Sequence, residues 1–192
     1  MLIVFTGNGK GKTTAALGQA FRMLGRDKRV LMIQFIKGPW KSGEDHLVQR
    51  IRNQELRIKE TDESLLDELH NFYDFKIKKM GLGFVGIQGD TLPRERHVEV
   101  AQKALSYFET QLASGGWNFI ILDEINVATS LGLLTETEVL DAVKDLAPEK
   151  FVLFTGRGAP QSFIDRADLA TEMRELKHPF NDGKMAQIAV EF

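Results

Sequence analysis

Residues 6–14 read Thr-Gly-Asn-Gly-Lys-Gly-Lys-Thr-Thr, and no other segment restricts the fold as tightly. The restriction comes from its flanks. Leu2 to Phe5 is a short apolar run, which predicts a buried parallel strand. After the loop, Ala16, Ala20, Met23 and Leu24 share one face of a helix predicted over 12–24, and Gly25 stands where a C′ glycine is expected. A glycine-rich string between a strand and a helix is the context of a phosphate-binding loop. Its small residues let successive backbone N–H groups converge on phosphate oxygens. The following helix adds a partial charge of about +0.5 at its N-terminus.

The expected triphosphate-binding residues are therefore Gly7, Asn8, Gly9, Lys10, Gly11, Lys12, Thr13 and Thr14. Lys12 can reach between phosphates as a point charge, and the Thr13 hydroxyl is placed to ligate Mg²⁺. The string departs from the usual G-x-x-x-x-G-K-[ST]: Thr6 takes the first position, the first glycine comes one residue late at Gly7, and Lys10 adds a second cation. The competing reading is a glycine-rich turn with lysines on the surface.

The rest of the chain alternates strands and helices. Strands are predicted at Val30 to Ile36, Phe119 to Leu122, Phe151 to Phe154, Leu169 to Met173 and Ala186 to Val190. A helix is predicted after Pro93, with Val98, Ala101, Leu105, Phe108 and Leu112 on one face and Gly115-Gly116 at its end. Thr135 and Glu138 form a capping box for a helix to about Leu146, and residues 160–166 read as a short helix. Residues 41–80 read as two helices, 43–53 and 64–79, around a possible strand at Leu56 to Ile58. The segment GLGFVGIQG at 81–89 reads equally as a mobile connection or, given Phe84, Val85 and Ile87, as a binding loop. Trp40 and Trp117 are expected to pack against the sheet. His46, His70, His97 and His178 lack metal-ligand spacing and are expected in surface or packing roles. This alternation predicts the α/β class with a mainly parallel sheet, in one domain over 1–192.

Two further strand ends carry chemistry. Asp123-Glu124 closes an apolar strand, where a second magnesium-coordinating carboxylate belongs. Glu124 could equally activate a water, and either carboxylate could simply cap the next helix. Thr155-Gly156-Arg157 ends a later strand on the same edge, so Arg157 either neutralises phosphate charge or makes a surface salt bridge.

Composition narrows the remaining classes. In 192 residues the charged fraction is 27% and the net charge −2, which gives no general attraction to nucleic acid or an anionic membrane. There is no cysteine, which excludes disulfides, thiolate metal sites and cysteine nucleophiles. No apolar run approaches the ~20 residues of a membrane span, and Met1 to Phe5 is too short for a signal peptide. A cytoplasmic location is the expectation. These observations lead to a Mg²⁺-nucleotide-binding α/β protein. Phosphoryl transfer, hydrolysis, a nucleotide switch and adenosyl transfer all stay open.

Several strings resemble the P-loop family of ATP:corrinoid adenosyltransferases. They are TGNGKGKTTAALG at 6–18, VLMIQFIKG at 30–38, IILDEINVA at 120–128, FTGRGAP at 154–160 and ADLATEMRELKHPF at 167–180. The late first glycine is usual in that family. The resemblance implies a RecA-like P-loop fold, usually a homodimer, and transfer of the 5′-deoxyadenosyl group of ATP to the Co(I) of a reduced corrinoid with release of triphosphate. It also implies a reductase for Co(II), such as a flavoprotein. By carry-over, Lys12, Glu124 and Arg157 are the catalytic residues, with Asn8 to Thr14 on the triphosphate. Thr13 and Glu124 serve Mg²⁺, and Asp123 is the alternative magnesium partner or stands behind them. Some members carry Gly-Phe-Thr-Trp where this chain has Gly-Phe-Val-Gly at 83–86, so only Phe84 keeps an aromatic for the corrinoid face.

Overall fold

The computed structural model describes residues 1–61, 74–87, 89–187 and 190, with residues 54–61 as helix backbone. Strands β1 (Leu2–Thr6), β2 (Val30–Gln34), β3 (Phe75–Lys79), β4 (Phe119–Asp123), β5 (Phe151–Thr155) and β6 (Leu169–Glu172) form one sheet in the order β3-β2-β4-β5-β1-β6. Every pairing is parallel. The central strands are continuous apolar runs because helices cover both faces. Alternation sorts their side chains: Leu2, Val4, Leu31, Ile33, Ile120 and Leu122 face one core, while Ile3, Val30, Met32, Ile121 and Leu153 face the other.

Helix α1 (Lys12–Leu24) covers the second face with Ala16, Ala20 and Leu24. Helix α3 (Arg94–Ala113) covers the first with Ala101, Ala104, Leu105 and Phe108, on the face predicted from the sequence. Helix α2 (Gly43–Thr61) lies between β2 and β3. Short helices α4 (Ile125–Ser130), α5 (Glu136–Asp141) and α6 (Gln161–Arg166) follow β4 and β5. The Thr135–Glu138 capping box is present in full. Strand β5 stands between loop-bearing β1 and acidic β4, the arrangement of a RecA-like P-loop fold. Among the described residues no helix is long and apolar enough to cross a membrane.

Several expectations are corrected. Gly25 caps α1 at φ −66°, and the left-handed residue is instead Asp27, at φ 57°. The stretch 75–79, predicted helical, is an edge strand, because Phe75, Ile77 and Lys79 alternate with exposed Lys76 and Lys78 at period two. Residues 64–73 of that predicted helix, His70 included, lie outside the described residues. Leu56 to Ile58 continue helix α2 rather than forming a strand. Helix α5 stops at Asp141, followed by turns over 142–145. Ala186, Gln187 and Val190 are not in a strand, and 188–189 lie outside the described residues. Trp117 packs beside the core under the Arg29 guanidinium. Trp40 does not pack on the sheet: it is 63% exposed, its ring lying over Gly38 and Gly83.

Candidate active site at the carboxyl edge of the sheet

Adjacent strands β4, β5 and β1 release their chains on one edge, so Asp123-Glu124, Thr155-Gly156-Arg157 and the 7–13 loop meet there. β2 ends beside them, with Gln34 in register with Asp123. This is the edge where α/β sheets collect ligands.

The loop is shaped by close backbone approach. Gly7 and Gly11 have φ of 95° and 109°, which disfavour any side chain. A Cβ on Gly9 would sit 2.7 Å from Met173 O, and the Gly9 N–H donates to that same carbonyl at 2.6 Å. Part of the glycine pattern therefore serves the chain after β6 rather than phosphate. Lys12 is buried, and its Nζ donates to Gly7 O at 2.7 Å and Gly9 O at 2.6 Å. Burial lowers its pKa, opposed by the Glu124 charge and reinforced by Arg157 and Lys10.

Behind the loop, Asp123 is fully buried and accepts from Thr13 Oγ1 at 2.8 Å, Thr155 Oγ1 at 2.8 Å and Gln34 Nε2 at 3.0 Å. Thr155 also accepts from the Glu124 N–H at 3.0 Å, so one hydroxyl joins the two acidic residues. Glu124 has φ 65°, in the left-handed region, and this turn carries its side chain away from Asp123's pocket toward the cavity. Burial, then the neighbouring Asp123 charge, push the Glu124 carboxyl up to about 7, although Lys12, Lys37 and Arg157 pull the other way. Gly156 is required beside it: a Cβ there would come within 3.1 Å of Glu124 Oε2.

A cavity of about 570 Å³ brings these groups together. Gly9 to Thr14 form one wall, with Glu124 and Arg157 beside them. Asn8 and Arg157 line a neighbouring cavity of about 610 Å³ with Glu172 and Arg174. Arg157 is exposed and makes no ion pair among the described residues. Phe84 does not line this cavity. It lies 44% exposed beside Trp40, with ring centroids 5.9 Å apart. Val85 packs on the core, and residues 81–87 form neither helix nor strand.

Sequence reasoning missed two charged residues of the cavity lining. Lys37 and Glu44 line the cavity and pair at 2.6 Å. The signal was the QFIKG string, whose Gln34 and Lys37 close the strand beside Asp123 and the turn after it. His178 and Phe180 also line the cavity, so this histidine stands at the site rather than in a remote surface role. His97 does take a packing role, buried against Asp90 at 3.0 Å. Asn126 donates to Phe5 O and Gly156 O, tying β1 to the turn after β5.

The arrangement sets cations and oxygen ligands around one cavity. The description "ATP:corrinoid adenosyltransferase BtuR/CobO/CobP" matches residues 1–192. The chain is 32% identical to the corrinoid adenosyltransferase of Escherichia coli (strain K12), over all of this chain and 85% of that one. It is 31% identical to corrinoid adenosyltransferase CobA of Salmonella typhimurium, with the same coverage. For the Pseudomonas aeruginosa enzyme the values are 33% identity, all of this chain and 83% of the relative. Among solved structures, HypB from Helicobacter pylori in complex with nickel aligns at TM-score 0.25 and 13% identity, covering 85% of this chain and 82% of that one. By its full-length match and these relatives, the chain belongs to the ATP:corrinoid adenosyltransferase family.

Proposed function

We propose that this chain carries out the family's reaction, moving the 5′-deoxyadenosyl group of ATP to the Co(I) of a reduced corrinoid, through the residues gathered on the 570 Å³ cavity. The observation that carries the reading is the convergence there of Lys12, Thr13, Glu124 and Arg157. The Co(I) electron pair forms the Co–C5′ bond while the C5′–O bond breaks, and its electrons leave on triphosphate. Cobalt is the nucleophile, so the protein's work is positioning and stabilising a departing anion. Lys12, already aimed along the loop, turns from the Gly7 and Gly9 carbonyls to phosphate oxygens. Arg157 and Lys10 neutralise charge from the open side.

The donor set fits Mg²⁺. Thr13 spends its proton on Asp123, which leaves its oxygen lone pairs for a hard cation, and Glu124 supplies a carboxylate. When bound, Mg²⁺ would neutralise charge on the triphosphate. Asp123 stands behind Thr13 and orients it.

The exposed pair of Trp40, between β2 and α2, and Phe84, on the glycine-rich segment after β3, is our candidate for the corrinoid face. We also read residues 1–192 as a single domain, acting in the cytoplasm as a homodimer and supplied with Co(I) by a reductase such as a flavoprotein. Incubation with ATP, Mg²⁺ and chemically reduced corrinoid should give a light-sensitive alkylcobalt spectrum and triphosphate. Orthophosphate without a cobalt–carbon bond would overturn the assignment.

A further inference from the structure

Lys37 lies just past β2 and Glu44 in the first turn of α2, and their side chains meet at 2.6 Å on the cavity that the phosphate loop also lines. An ion pair between a strand end and a helix start is commonly a clasp. Two observations make this one more than that. Both residues line the cavity, so neither is sealed behind it. Lys37 also feels the acidic centre: burial opposes its charge, but Asp123 and Glu44 outweigh burial and hold its pKa above the ordinary lysine value. Its field in turn pulls Glu124 downward. Lys37 therefore lies within electrostatic reach of Asp123, which accepts from Thr13, and of Glu124 on the cavity.

We propose that Lys37 is a phosphate-facing cation of the triphosphate site, held in place by Glu44 until the polyanion arrives. The proposal rests on the reading of the cavity as a triphosphate site. Cations Lys10, Lys12, Lys37 and Arg157 line the cavity against carboxylates Glu44 and Glu124, an excess suited to a highly charged anion. Lys12 shows what an ammonium without a carboxylate partner experiences here, a pKa lowered chiefly by burial. Asp123 and Glu44 together offset that penalty at Lys37. On entry of triphosphate, Lys37 shares its donors between Glu44 and a phosphate oxygen, which an ammonium with three donors can do without breaking the pair.

The two partners then have opposite effects, where a clasp would make them equivalent. Binding of inorganic tripolyphosphate with Mg²⁺ is measured by calorimetry for the wild type, Lys37→Met, Lys37→Arg and Glu44→Gln, with melting temperatures in parallel. Lys37→Met should weaken binding roughly tenfold, as expected for one charge-assisted contact. Lys37→Arg should stay within about threefold, and Glu44→Gln should bind as tightly as the wild type or tighter. Lys37→Met binding like the wild type, or Glu44→Gln weakening as much as Lys37→Met, would overturn the role of Lys37 alone. No binding to the wild type would overturn the triphosphate reading of the cavity, and Lys37 with it.

Discussion

The Thr13 hydroxyl donates a 2.8 Å hydrogen bond to Asp123 Oδ1, joining the phosphate loop to the end of β4 across 110 residues of chain. Asp123 is fully buried and accepts from Thr155 and Gln34 as well. Asp123→Ala would strand three buried or half-buried donors. We expect a loss of about 2–4 kcal/mol of stability in denaturant melts, with a smaller loss for Asp123→Asn, which keeps the shape. Equal and negligible losses would contradict the bonded network.

Glu124 links the site to pH. Its folded pKa of about 7 lies above the ordinary 4.5. A carboxyl raised in this way stabilises the fold fully below its unfolded pKa, and that contribution disappears as pH rises through the folded value. Glu124→Gln cannot ionise. In thermal melts of nucleotide-free protein without Mg²⁺, the variant should gain on the wild type between pH 4.5 and about 7 and hold its lead above that. Parallel curves across that window would refute the raised pKa. The same variant should lose most adenosyl transfer in the cobalt–carbon assay.

Two glycines in one motif have opposite roles. Gly9→Ala would press a methyl to 2.7 Å of the Met173 carbonyl, displacing the segment after β6. A cost on the order of 1–3 kcal/mol and weaker ATP binding should result, read by melts and titration. Gly18, exposed within α1, has no atom within 4 Å of an added Cβ. Gly18→Ala should stabilise the protein by about 0.5–1 kcal/mol, and destabilisation there would contradict the helix geometry.

Asp90 holds the glycine-rich segment in place. It accepts from the Gly86 N–H at 2.8 Å and the Leu92 N–H at 3.1 Å, and meets His97 Nε2 at 3.0 Å. If Phe84 faces the corrinoid, Asp90→Ala should lower kcat/KM for the corrinoid by roughly tenfold while the KM for ATP stays unchanged. Parallel losses for both substrates would mean that Asp90 supports the whole fold instead.

Strand runs, the loop and its context, the α3 face and the Thr135–Glu138 cap were legible because each is a local pattern repeating at the period of its own element. So was the gathering of Lys12, Glu124 and Arg157, since parallel strands deliver their trailing loops to one edge. Other features depended on neighbours distant in sequence. FKIKK could be read as helix until β2 offered it an edge to pair with. Trp40 looked like core until the ring was found over two glycines, outside the sheet. Gly9 suited a phosphate loop, but only the fold showed Met173 against it. Asp123 and Glu124 are neighbours in sequence, yet a left-handed turn at Glu124 and the Thr155 hydroxyl give one the buried network and the other the cavity. The sequence by itself determined which chemical groups this protein has and the edge on which they meet. Only the tertiary structure decided which of them face the ligand, because burial and hydrogen-bond partners are set by chain segments far apart in sequence.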